Sequence, residues 1–227
     1  MIRRAAALAL SLALAGCMGQ SGPPAYRGPP LRQTAQAGQV VAVELALARI
    51  TREQGQWTAM GLYAAPAALL FTPQPVNAQT WLKGRANPAT APRRQLHQVW
   101  SSCDGSLAVA RGGTVLADGS AGYFVTVWER QSDGSYKWVL DDGDTLPAAL
   151  EEPDMVQASE PDCRAKAGME PPRIAQASYL THGAYAKDAS LRWSVAIGPD
   201  NGRNLSVDVW SGEAFDSVID LSIRPGF

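Results

Sequence analysis

The chain has 227 residues, of which 46% are hydrophobic, and its 20 basic and 21 acidic residues give a formal net charge of −1. Nucleic-acid binding depends on clustered Lys and Arg that neutralise phosphates. The nearly neutral charge and the lack of any basic stripe along the sequence argue against that function.

The N-terminus has the features of an export signal. Arg3 and Arg4 precede an apolar run, residues 5–15, that is too short to span a bilayer as a mature helix. The run ends in Leu14-Ala15-Gly16-Cys17, which resembles the bacterial lipobox, in which a lipid is attached to the cysteine and cleavage occurs just before it. The alternative is an ordinary signal peptide that happens to contain a cysteine.

The lipobox resemblance implies that residues 1–16 are a lipoprotein signal peptide and that Cys17 is the lipidated N-terminus. Met18 follows the cysteine where some bacteria read an Asp as an inner-membrane retention signal. We therefore expect a lipid-anchored protein of the bacterial envelope, attached to the outer membrane and facing the periplasm. Cleavage leaves 18 basic against 21 acidic residues, a formal charge of −3.

Two further cysteines, Cys103 and Cys163, remain in the mature chain. Because an exported protein meets an oxidising compartment, we predict a disulfide between them. The alternatives are two buried free thiols or a metal site. A metal site is disfavoured because neither cysteine belongs to a Cys-x-x-Cys pair.

The mature chain is predicted to begin with a spacer and two helices. Residues 17–39 include four prolines and four glycines, which is typical of a flexible linker. From residue 40, helical periodicity places four apolar side chains on one side and four charged ones on the other. The apolar set is Val40, Val43, Leu47 and Ile50, and the charged set is Glu44, Arg49, Arg52 and Glu53. Gly55 ends this helix, and residues 56–63 form a second, shorter one.

A short strand over residues 69–72 and a helical turn over residues 77–83 come next, followed by a four-stranded antiparallel meander. Asp-Gly-Ser occurs at Asp104, Asp118 and Asp133, and each copy is a turn signal because Asp caps its own backbone and Gly accepts positive φ. The predicted strands between and around these turns are 95–102, 107–112, 122–130 and 136–141. Strand alternation puts Tyr123 and Phe124 on opposite faces without deciding which face looks inward.

This order of elements, together with residues 122–130 (GYFVTVWER) and 133–141 (DGSYKWVLD), resembles the nuclear transport factor 2-like superfamily. That group includes ketosteroid isomerase and SnoaL-like polyketide cyclases. The resemblance covers residues 40–145 and implies an α+β cone fold, in which a curved antiparallel sheet wraps around the N-terminal helices and leaves a pocket. It also implies a homodimer as one option, because members often pair through their sheets.

The remainder of the chain is predicted to form a connector and a small sheet. Residues 146–177 are Pro-rich, with at most a short helix near residues 148–158. Residues 178–227 read as a three-stranded antiparallel meander with one apolar face, its strands near 191–197, 205–209 and 219–223. So small a sheet must lay that face on the first domain, on a second copy or on a partner.

The candidates for chemistry are few. His97, Tyr123 and Asp141 are candidate catalytic residues in the pocket, although a structural role is the simpler interpretation of His97. Trp57, Trp100 and Trp128 are candidates for lining an apolar ligand site, with plain core packing as the alternative. His182 is interpreted as a loop residue.

The run Asp141, Asp142 and Asp144 is interpreted as a solvated strand end, since it lacks the spacing of a calcium loop. We predict no metal site and no cofactor, because no phosphate loop, dinucleotide glycine motif or paired-histidine motif is present. The leading hypothesis is an envelope-tethered module that binds a small apolar ligand or a protein. The alternatives are a small-molecule isomerase, cyclase or dehydratase, which we favour less, and a structural dimer.

Overall fold

The computed structural model describes residues 35–164 and 180–225. The predicted signal peptide, Cys17 and most of the predicted linker lie outside these ranges. The helices are α1 (Ala37–Gln54), α2 (Gln56–Tyr63) and α3 (Ala78–Leu82). The first seven strands are β1 (Ala64–Phe71), β2 (Pro75–Asn77), β3 (Arg93–Ser101), β4 (Leu107–Val115), β5 (Ala121–Arg130), β6 (Tyr136–Leu146) and β7 (Gln157–Ser159). The last four are β8 (Leu180–Tyr185), β9 (Leu191–Ile197), β10 (Arg203–Trp210) and β11 (Phe215–Ile223).

Helix α1 starts three residues earlier than predicted and ends, as predicted, before Gly55. Gly55 has a φ of 96°, which glycine adopts without strain. Its buried row differs from the predicted apolar arc. It includes Glu44 between Val40 and Leu47, so the assignment of Glu44 to the solvent side is wrong. A carboxylate can be buried at this position because polar side chains of the sheet contact it.

The large sheet has seven strands in the order β2-β1-β6-β5-β4-β3-β7. Strands β3 to β6 form the predicted antiparallel meander, whereas β1 runs parallel to β6 and β7 runs parallel to β3. The three turns are as predicted. Asp104, Asp118 and Asp133 each accept a hydrogen bond from the backbone N–H two residues on, at 2.9 Å, and the intervening glycines have φ between 66° and 86°.

The C-terminal sheet is antiparallel and has four strands, in the order β11-β10-β9-β8. The additional strand is β8, and it contains His182, which was expected in a loop. The expected short helix near residues 148–158 is not formed. This stretch of the connector instead supplies β7, which pairs with residues 98–100 of β3.

The large sheet separates two hydrophobic cores. On its helix face, α1 and α2 pack against side chains that include Val99, Phe124 and Trp128. On its outer face, the C-terminal sheet packs its apolar side against residues that include Trp100 and Tyr123. The small sheet therefore packs on the N-terminal domain of its own chain, which is the first of the three alternatives predicted for it.

Covalent and ionic links join the connector and the small sheet to the large one. The predicted disulfide is confirmed, with Cys103 and Cys163 bonded at a Cα–Cα distance of 5.7 Å. Asp142 accepts two hydrogen bonds of 2.7 Å from Arg203 on β10, and Asp144 pairs with Arg224 at 2.7 Å. The interpretation of Asp142 and Asp144 as a solvated strand end is therefore wrong, because both carboxylates are buried against arginines.

None of the helices in the described ranges combines the length and the apolar character of a membrane span. Within the same ranges, no three His, Cys, Asp or Glu side chains are grouped so as to hold a metal ion.

Candidate functional site

The helix face of the large sheet carries a buried polar cluster centred on Arg94, here called the Arg94 cluster: Glu44, Arg94, Thr126, Trp128 and Asp141. Arg94 donates to both oxygens of Asp141, at 3.2 and 3.0 Å, and to the Thr126 hydroxyl at 2.6 Å. Thr126 in turn donates to Asp141 at 2.7 Å. Glu44 lies 3.7 Å from Arg94 and accepts a hydrogen bond of 2.8 Å from the Trp128 indole N–H.

Strand geometry explains how these side chains meet. Thr126 and Trp128 are two residues apart on β5 and so point to the same face. Thr126 lies directly opposite Asp141 on β6, which places hydroxyl and carboxylate within reach. Arg94 enters from the start of β3, with its guanidinium 3.7 Å from the centre of the Phe124 ring.

Burial sets the electrostatics of this cluster. Burial raises the pKa of Glu44, and the nearby Arg94 only partly opposes that effect. Burial would lower the pKa of Arg94, but Asp141 and then Glu44 outweigh it and raise the pKa above its ordinary value. Arg94 therefore stays charged, and its firmest partner is Asp141.

A partly open cavity of about 180 Å³ lies beside the Arg94 cluster. Its walls are mainly apolar side chains from the helices and from the ends of strands, including Trp57, Met60 and Leu70. Arg94 and Asp141 provide polar and charged groups in the wall, with side-chain exposures of 10% and 15%. An apolar protein cavity of about 150 Å³ holds benzene, so this one fits a single ring and no steroid-sized molecule.

The structure brings some of the predicted residues to this cavity. Asp141 and Trp57 line it, and Tyr123 borders it, although the Tyr123 side chain packs in the core between the two sheets. Trp128 does not line the cavity and belongs to the adjacent Arg94 cluster, in which it donates a hydrogen bond to Glu44. Trp100 instead packs in the core between the two sheets.

His97 is not part of this site. It lies beside Gly113 on β4 and does not line the cavity. Partial burial lowers its pKa, Arg111 adds to that effect, and Glu152 opposes it. The structure therefore does not bring His97 together with Asp141.

Sequence reasoning missed Glu44, Arg94 and Thr126. Glu44 left a signal, since its position one turn from Val40 and one from Leu47 puts it within the row that faces the core. The sequence gives no indication of the role of Arg94, because its partner Asp141 is 47 residues away and only strand pairing brings the two together.

Comparison with known proteins finds only distant structural similarity. No protein-family model and no curated protein matches the chain. A proposed aromatic ring hydroxylase from Novosphingobium aromaticivorans is 14% identical over 50% of this chain and 91% of its own, with a TM-score of 0.38. A proposed ketosteroid isomerase from Parabacteroides distasonis is 13% identical over 51% of this chain and 97% of its own, with a TM-score of 0.37.

A third structure, an NTF2-like protein of unknown function from Shewanella baltica, is 14% identical over 50% of this chain and 98% of its own, with a TM-score of 0.36. The arrangement of the chain itself is the more direct observation. Helices α1 and α2 pack on one face of a β3 to β6 meander and leave a cavity beside it. The chain thus has the α+β architecture that the resemblance implied, with helices on one face of a mainly antiparallel sheet, and a four-stranded C-terminal sheet extends it.

Proposed function

We propose that this protein is a binding module that holds a small molecule with one apolar ring in the cavity beside the Arg94 cluster. The observation that carries the proposal is the cavity itself, about 180 Å³ with mainly apolar walls and one charged pair, Arg94 with Asp141. Binding sites of this kind combine apolar walls with a few placed polar groups.

The size of the cavity limits the affinity. Burying roughly 200 Å² of a ring at about 25 cal/mol per Å² yields about 5 kcal/mol. Because the cost of association is subtracted from this free energy, the Kd is no tighter than roughly 0.1–1 mM. The polar wall supplies orientation, because a ligand hydroxyl or amide can meet the accessible parts of Arg94 and Asp141.

A titration with phenol and benzamide tests the proposal. Both are single rings with one polar group, and binding should change the tryptophan fluorescence because Trp57 lines the cavity. Leu70→Phe fills the cavity and should abolish binding. Leu45→Phe, the same change at a side chain that is 58% exposed on α1, should leave it intact. Equal binding by the two variants, or no binding by the parent protein, would refute the proposal.

One observation favours a second candidate, a small-molecule isomerase. Asp141 lines the cavity and its side chain is 15% exposed, and a carboxylate in such a place can move a proton along a substrate. Cyclohex-3-enone fits the cavity in size and tests this candidate. Conversion to the conjugated ketone, followed by ultraviolet absorbance and lost in Asp141→Asn, would favour the isomerase over the binding module.

The proposal includes the cellular location of the protein. A module tethered through a lipid on Cys17 would present its cavity at the surface of a membrane, with the linker up to α1 as a spacer. The support for this placement is the sequence of residues 1–17.

A further inference from the structure

We propose that the ligand of this module is a ring carboxylate, whose ring fills the cavity while its carboxylate is held by arginines in the adjoining cleft. This inference rests on the proposed function and names the ligand class of the same site. It is carried by a second cavity, by its charge and by its contact with the first.

The second cavity, here called the arginine cleft, has a volume of about 480 Å³ and lies at the start of β3. It shares Arg94 and Thr114 with the apolar cavity. These two residues are direct partners across β3 and β4, so their Cα atoms are roughly 5 Å apart. A molecule little larger than one ring can therefore span both spaces.

The arginine cleft has an excess of positive charge. Arg52 from the end of α1 and Arg93 from the start of β3 line it together with Arg94, and Glu152 is its one acidic lining residue. Arg94 is committed to Asp141. Arg52 and Arg93 are exposed, and their side chains make no hydrogen bond or ion pair with any other residue in the described ranges.

The guanidinium groups of Arg49, Arg111 and Arg130 are likewise unpaired in the described ranges, but of these five arginines only Arg52 and Arg93 line the arginine cleft. Arg192, Arg203 and Arg224, like Arg94, each pair with an aspartate at 3.0 Å or less. In a nearly neutral chain, two uncompensated cations beside an apolar cavity favour an anionic group on the ligand. A guanidinium can bind a carboxylate with two parallel hydrogen bonds.

The polarity of the combined site also orients the ligand. Asp141 and Glu44 would repel a carboxylate placed at the Arg94 cluster, whereas Arg52 and Arg93 attract one placed in the arginine cleft. The ring therefore belongs in the apolar cavity and the carboxylate in the arginine cleft. A ligand with a cationic group is disfavoured, because Arg52 and Arg93 would repel that group in the arginine cleft.

Benzoate and benzamide test the inference, because they have nearly the same shape and differ in charge. We expect calorimetric titration at low ionic strength to show benzoate binding about tenfold more tightly than benzamide. Arg52→Gln and Arg93→Gln should each weaken benzoate binding by roughly three- to fivefold, in line with exposed ion pairs, and leave benzamide binding unchanged. High ionic strength should remove the preference for benzoate.

Arg49→Gln is the matched control, because Arg49 is exposed on the same helix as Arg52 and lines neither cavity. It should leave the affinities for both compounds unchanged. Benzamide binding as tightly as benzoate, or an equal effect of Arg49→Gln and Arg52→Gln, would overturn the carboxylate inference while the binding module stands. Binding of neither compound would overturn both.

Discussion

The ion pair between Asp142 and Arg203 joins the two sheets, and we expect it to control their association. The two side chains are 3% and 0% exposed and share two hydrogen bonds of 2.7 Å. Arg203 also lies 4.5 Å from the centre of the Phe71 ring. Replacing Arg203 with Met keeps apolar contact with that ring but removes the cation.

The loss of the cation leaves a buried carboxylate without its partner. Removing one member of a buried pair typically costs about 3–5 kcal/mol of unfolding free energy, and the near-zero exposure of both side chains puts Arg203→Met in that range. In Asp142→Asn/Arg203→Met no charge remains to be buried, so this double variant should recover most of the loss.

The penalty should also depend on pH. Burial raises the pKa of Asp142 from its ordinary 3.8, and Arg203 opposes that shift, so Arg203→Met should raise the pKa further. A carboxyl whose folded pKa exceeds its unfolded value stabilises the fold at low pH and loses that contribution as pH rises through the folded pKa. The cost of Arg203→Met should therefore shrink as pH falls towards 3.8.

Urea denaturation with the disulfide intact, followed by tryptophan fluorescence and circular dichroism, measures these differences. Arg192→Met is the matched control. Its ion pair with Asp208 lies in the same sheet, but the two side chains are 30% and 20% exposed, so we expect a cost of about 1 kcal/mol or less. Equal costs for Arg192→Met and Arg203→Met, or no recovery in the double variant, would refute the reasoning.

Three further changes test other parts of the molecule. Burial raises the pKa of Glu44 above 4.5, so this carboxyl stabilises the fold at low pH and loses that contribution as the pH rises above about 4.5. Glu44→Gln should remove this part of the pH dependence of the unfolding free energy. Glu53→Gln, at an exposed site on α1, should leave the pH dependence unchanged. Breaking the disulfide with Cys103→Ser/Cys163→Ser opens a loop of 60 residues, for which chain entropy predicts a loss of about 4 kcal/mol. Hydrogen exchange should then speed up first in residues 147–164, and uniform acceleration would contradict this local effect. Cys17→Ser should move the protein from the membrane fraction to the soluble fraction, and its retention with membranes would argue against the lipid anchor.

The features that could be predicted from the sequence are those that depend on neighbouring residues. The three Asp-Gly-Ser turns, the break at Gly55 and the bounds of α2 match the structure because caps and positive φ act within a few positions. The disulfide was predicted for a different reason, since two cysteines in a protein that is expected to be exported have one common outcome.

Tertiary packing determines which face of each element is buried and which groups its polar side chains contact there. Alternation in β5 separates Phe124 from Tyr123, but the packing of α1 on one side and of β9 and β10 on the other decides which side holds the cavity. The partners of Arg94, Asp142 and Asp144 lie 47, 61 and 80 residues away. A charge this distant in sequence leaves no local pattern, because the stabilisation it provides exists only once both sheets have folded and water has been excluded between them.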